Sequence, residues 1–132
     1  MTTSWTAIAS VTVSTATANI DFTSIPATYT DLLLKVSLRS DRGGGNEAYT
    51  SVTFNSATTN QVVRRLEGSG SSAFSSVENN NWSFIIEGAH NTANSFTSTD
   101  IYIPNYASSN YKSFSVDSGE ETNATTAYIA MT

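Results

Sequence analysis

The sequence contains no cysteine, only two prolines and a single histidine, and only 13% of its 132 residues are charged. Without cysteine there is no disulfide framework and no thiolate chemistry, so core burial must take the place of covalent cross-links. Six Lys and Arg stand against eleven Asp and Glu, a formal net charge of −5. That is too few cations to neutralise a nucleic-acid backbone, and the wrong sign for an anionic membrane surface. No apolar run approaches the ~20 residues of a membrane-spanning helix. The opening "MTTSWTAIASVTVSTATANI" has neither the positive start nor the long apolar centre of a secretory leader. It reads as a first strand, with synthesis in a cytoplasm.

What fills the space left by charge is serine, threonine and asparagine, residues of strands and turns. A hydrophobic share of 39% is enough for a folded core, and the length suits one domain over residues 1–132. Helical periodicity is almost absent. Period-two alternation marks strands at 5–13, 18–22, 31–39, 49–54, 61–67, 82–87, 96–103, 111–117 and 125–131. In 31–39, Leu32, Leu34, Val36 and Leu38 share one face. "RSDRGGGNEA" (39–48) and "EGSGSSAFSSVENNN" (67–81) read as loops. About nine short strands separated by turn signals predict an all-β, antiparallel β-sandwich of jelly-roll-like architecture.

Both prolines follow isoleucine, at Ile25-Pro26 and Ile103-Pro104, and a polar stretch with a tyrosine follows each. Proline cannot donate to a ladder and holds the residue before it extended. Ile25 and Ile103 are therefore expected as the last core-facing residues of their strands, with each proline turning the chain out of its sheet.

Candidate chemistry is sparse. His90 stands alone in "EGAHNTANS", and "EGSGSS" (67–72) is not a nucleophile elbow. "DSGEE" (117–121) lacks the spacing and the distal glutamate of a calcium loop, and "DRGGGNE" (41–47) lacks the ending of a phosphate loop. The carboxylates are scattered, with no pair set up for hydrolysis. The reading is therefore of a protein that is not an enzyme and takes no metal or cofactor. "NNNW" (79–82) and "IPNY" (103–106) place asparagine beside an aromatic, as glycan sites do, although sandwiches also keep such aromatics in cores and corners. Trp5, Trp82, Asn105 and Tyr106 are the candidate partner-contact residues.

"IDFTSIPATYTDLLLKVSLRSD", "TFNS", "TDIYIPNYASSNYKSFSVDS" and "NATTAYIA" together resemble a family of virion proteins of tailed bacteriophages, frequent in aquatic phages including those of cyanobacteria. The resemblance runs from about residue 5 to 130. It implies a β-rich structural component and carries no catalytic or metal residues onto this chain. Relatives of this type commonly run on past the "TTAY" strand, which implies a shorter member or last strands supplied from elsewhere. The function it implies is a capsid decoration (cement) protein on the outer surface of the head, bridging subunits of the major capsid protein. Self-association as a homotrimer or another homo-oligomer is expected, without nucleic acid or membrane as partner. A receptor-binding spike or tail-fibre domain that recognises host glycans is the alternative.

The ends carry one further expectation. An apolar terminal strand left as an open edge is normally blunted by lysine, proline or a bulge, and residues 122–132 hold none of these. At least one terminal segment should therefore be covered, with Trp5 largely buried in the core or at a subunit contact.

Overall fold

The computed structural model describes residues 4–68, 72–79 and 83–120, and the backbone of 129–131. The described residues form eight strands and no helix: β1 (Leu32–Leu38), β2 (Glu47–Ser51), β3 (Val62–Gly68), β4 (Ala73–Asn79), β5 (Ser83–Glu87), β6 (Thr97–Ile103), β7 (Ser115–Gly119) and β8 (Ile129–Met131). Every strand pairing is antiparallel, and neither sheet closes on itself. One sheet has six strands in the order β1-β6-β7-β8-β3-β4, and the other is the pair β2-β5. An isolated parallel bridge from Arg39 to Glu87 ties the end of β1 to β5.

The large sheet is built on alternation. In β6, Thr97, Thr99, Ile101 and Ile103 are buried, and the register sets them opposite Leu38, Val36, Leu34 and Leu32 of β1. On β7, Val116 and Ser118 continue the same face. β5 is buried along its whole length, so its "SFII" reads as a continuous run where the other strands alternate. Ala48, Phe84 and Ile86 from the small sheet meet Ile101, Ile103 and Val116 from the large one in a single core. Phe54 and Phe114 border that core with ring centroids 5.4 Å apart and planes at 70°, an edge-to-face pair. Ser118 Oγ donates to Ile85 O at 3.0 Å and pairs with Thr99 Oγ1 at 2.8 Å, so buried hydroxyls tie the sheets together where side chains alone would leave polar atoms unpaired.

Several expectations are corrected. Residues 5–13 and 18–22 form no strand: from 4 to 30 every residue is exposed except the half-buried Phe22. Among the described residues, no backbone–backbone hydrogen bond joins this segment to the rest. Trp5 is 65% exposed and lies outside the core. An alternating segment declares which face is apolar, but it becomes a strand only when a ladder partner is in place, and a single copy provides none here. β4 lies inside the expected 67–81 loop: its serines match a loop composition, and pairing along the whole of β3 overrides that local preference. At the other end the expectation of a covered terminal segment holds, since β8 pairs with β7 on one side and β3 on the other.

Candidate functional site

The two Ile-Pro corners meet at one end of the β1–β6 pair. Asp31, just ahead of β1, accepts the Tyr102 hydroxyl at 2.8 Å and the Asn105 backbone N–H at 2.8 Å. The Tyr106 hydroxyl donates to Pro26 O and accepts the Tyr29 N–H at 3.4 Å. Asn105 sits at φ 49°, the left-handed region that asparagine tolerates better than most residues. The hydrogen bond to Asp31, with lesser contributions from desolvation and the carboxylate charge, raises the Tyr102 phenol above its ordinary value. Ile103 is buried as expected, whereas Ile25 is 40% exposed, because the chain before Pro26 leaves the sheet altogether. Of the predicted contact residues, Asn105 and Tyr106 are thus brought together, but their polar groups hold this corner. Trp5 lies out on the exposed segment, and Trp82 falls outside the described residues.

The opposite end is organised by Arg39. Its Nη1 donates to Thr92 O (2.8 Å), Ser95 O and Ser95 Oγ (both 3.1 Å), and its Nη2 to Ala89 O (3.2 Å) and Asn91 O (2.9 Å). The glycine loop packs against this turn: Gly88 N donates to Asn46 O at 2.9 Å, and Gly44 N donates to His90 Nε2 at 3.3 Å. His90 therefore bridges two loops. Gly88 leaves no room for a side chain, since a Cβ there would lie 2.5 Å from Gly45 O and 2.6 Å from Asn46 C.

At this same Arg39 end lies a feature that the sequence did not suggest. Glu87 is fully buried and Glu120 is only 6% exposed, and they neighbour each other inside the fold. Glu87 Oε1 accepts the Ser95 hydroxyl at 2.5 Å. Among the described residues, no other group donates to Glu87 Oε2 or to either Glu120 oxygen. Burial, then a hydrogen bond to Glu87, then the charges of Glu87 and Glu47 push the Glu120 carboxyl up to about 8. Glu120 is therefore a neutral acid at pH 7, and its proton supplies the bond that the paired oxygens otherwise lack. Paired carboxyls are a hydrolase signature, and these two are almost entirely shielded from solvent. The pair was invisible in the sequence because one member ends β5 and the other directly follows β7, far apart in the chain. The only hint is a glutamate closing each run without a cation beside it.

A half-buried charge group joins β3 and β4 to β2. Arg65 contacts Glu67, reaches Glu78 Oε1 at 3.0 Å, and stacks 5.2 Å from the Tyr49 ring centre. Burial raises the Glu67 carboxyl above its ordinary value, against the lowering effect of Arg65. Among the described residues, no group of three or more His, Cys, Asp and Glu side chains is arranged to hold a metal ion, and no helix is long and apolar enough to cross a membrane.

The remaining candidate is surface. On the outer face of β3 and β4, Val62 (61% exposed), Leu66 (52%) and Val77 (56%) stand in the open around Arg64, which the register sets opposite Val77. An open groove of about 420 Å³ runs there, lined by Arg64, Arg65, Leu66, Ser75, Ser76 and Val77. Residues 4–30 add Trp5, Ile8, Val11, Val13, Ile20 and Ile25, all exposed. A compact monomer of 14.1 kDa exposes about 6,700 Å² by the usual size scaling, whereas this chain exposes 9254 Å². Exposed large hydrophobics such as these are of the kind that mark interaction surfaces. Compared with protein-family models, with curated proteins and with solved structures, the chain matches none.

Proposed function

We propose that this protein is a virion structural component of a tailed bacteriophage: a capsid decoration protein that binds the outside of the head and bridges major capsid subunits. The observation that carries this reading is the open apolar surface, which suits a component finished by assembly better than a self-contained monomer. The sequence resemblance to phage virion proteins and the antiparallel all-β architecture support it. So does the net charge of −5, which suits an outer surface facing away from packaged nucleic acid and carries no membrane-binding character. In this reading the six-stranded and two-stranded sheets are the layers of a small jelly-roll-like sandwich. The protein acts by contact alone, without catalysis or cofactor, and its partners are the capsid protein and further copies of itself.

Counting copies in purified virions by quantitative mass spectrometry tests the proposal. A decoration protein is expected at hundreds of copies per particle, in proportion to capsid subunits. A count in single digits or low tens, or antibody labelling confined to the tail, overturns it and favours the receptor-binding alternative.

A further inference from the structure

The exposed segment and the exposed sheet face belong to the same chain, and their shapes and chemistry are complementary. Extended as a strand, residues 5–13 would span about 30 Å and place Trp5, Ala7, Ala9, Val11 and Val13 on one side, with Thr6, Ile8, Ser10 and Thr12 on the other. The first charged residue of the sequence is Asp21, so this strand would carry no charge of its own to bury. The β3–β4 outer face offers Val62, Leu66 and Val77 for its apolar side. β4 is moreover an edge of the six-stranded sheet. Arg64 lines the groove beside Leu66, and a guanidinium is a favourable neighbour for an aromatic ring.

We infer that the 5–13 segment of one copy docks on the β3–β4 outer face of a second copy, with the Trp5 indole seated in the groove beside Arg64. Both surfaces are open in the same chain, which supports a second copy as the occupant. Among the described residues no backbone–backbone hydrogen bond holds 5–13 to its own subunit, while Val62, Leu66 and Val77 stay exposed, so an exchange between copies covers both at once. A single aromatic in a groove at the centre of such a contact is the usual energetic anchor. Tyr106, gripping Pro26 and Tyr29, fixes the point at which the segment leaves its own subunit. The exchange concerns self-association only and stands whether or not the partner beneath is a capsid.

The test uses the full chain. Sedimentation velocity from about 0.5 to 50 μM is expected to show a concentration-dependent oligomer. Trp5→Ala and Leu66→Asp, one on each side of the contact, should each weaken association at least about tenfold. Because the chain has no cysteine of its own, a mixture of A7C and S75C proteins reports the pairing directly. A disulfide-linked heterodimer on mild oxidation is the expected result, and it keeps the proposal testable if L66D fails to fold. The inference is overturned if the wild type stays monomeric throughout. It is equally overturned if association survives both substitutions, or if a doubly substituted A7C/S75C chain closes only on itself.

Discussion

Replacing Glu120 with glutamine isolates the buried acid pair, because the amide keeps the size of the side chain and can donate to Glu87 without a titrating proton. In the folded chain the Glu120 carboxyl is lifted from 4.5 to about 8, chiefly by burial and then by Glu87. A folded value above the unfolded one means that the native state holds the extra proton between those limits. Stability is then complete below about pH 4.5, falls as pH rises, and levels off above about 8. At about 1.4 kcal/mol for each tenfold change in proton activity, and with the titration shared between the two carboxyls and partly screened by water, the loss across the interval is on the order of a few kcal/mol. Urea titrations at half-unit steps from pH 5 to 9, followed by circular dichroism, measure this directly. The wild-type midpoint should fall steadily across the range. E120Q should start close to the wild type at pH 5 and exceed it increasingly towards pH 8.5. Glu67, also raised by burial, contributes a decline in the same direction to both proteins, so the difference between the curves is the diagnostic quantity. Parallel curves, or a wild-type midpoint that rises from pH 6 to 8, would refute the shared-proton account.

Three further outcomes follow from the packing. Ile101, 1% exposed at the centre of the core, should cost about 2–5 kcal/mol when cut to alanine, read as a lower urea midpoint at unchanged slope. Gly88→Ala should lose about 1–3 kcal/mol, since its Cβ would collide with the Gly45 and Asn46 backbone; an unchanged midpoint would mean the loops are not held as described. Tyr106→Phe removes the hydroxyl that grips Pro26 and Tyr29, so limited proteolysis within 21–30 should accelerate while the melting temperature drops only slightly, in keeping with a hydrogen bond worth about 1 kcal/mol. Cleavage at the wild-type rate would show that the corner does not anchor the segment.

The fold was legible where a strand's own residues settle its faces. β6 alternates so regularly that its buried positions follow from spacing alone, β1 alternates from Leu34 onward, and the all-β class follows from the near absence of helical period. β5 was found by its apolar run, although its burial on both faces depends on what packs around it. β4 escaped because Phe74 and Val77 point to opposite faces and the serines between them match a loop; only its pairing with β3 reveals it. The 5–13 segment failed in the opposite sense, since alternation specifies a face and says nothing about whether a neighbour exists. The corner was half legible. Two Ile-Pro pairs announced two turns, but their meeting depends on Tyr106 reaching Pro26 across the fold. The acid pair left no local trace, because two glutamates at the ends of separate strands become neighbours only through topology.

The central place of β8 has a consequence for how the protein comes to exist. Of the described strands it is the last to leave the ribosome, yet it lies between β7 and β3 and joins the β1-β6-β7 half of the large sheet to the β3-β4 pair. While the chain is still emerging from the ribosome, β3 and β7 each present an unpaired ladder edge, and β3 waits about 60 residues for its second neighbour. The two halves of the sheet can therefore form early but cannot lock together until translation has passed Met131. During that interval open edges can capture the wrong strand, from the same chain or from another nascent copy. Production yield of this protein should consequently be governed by how soon β8 follows β3 and β7 out of the ribosome, and slower translation would lengthen the vulnerable interval.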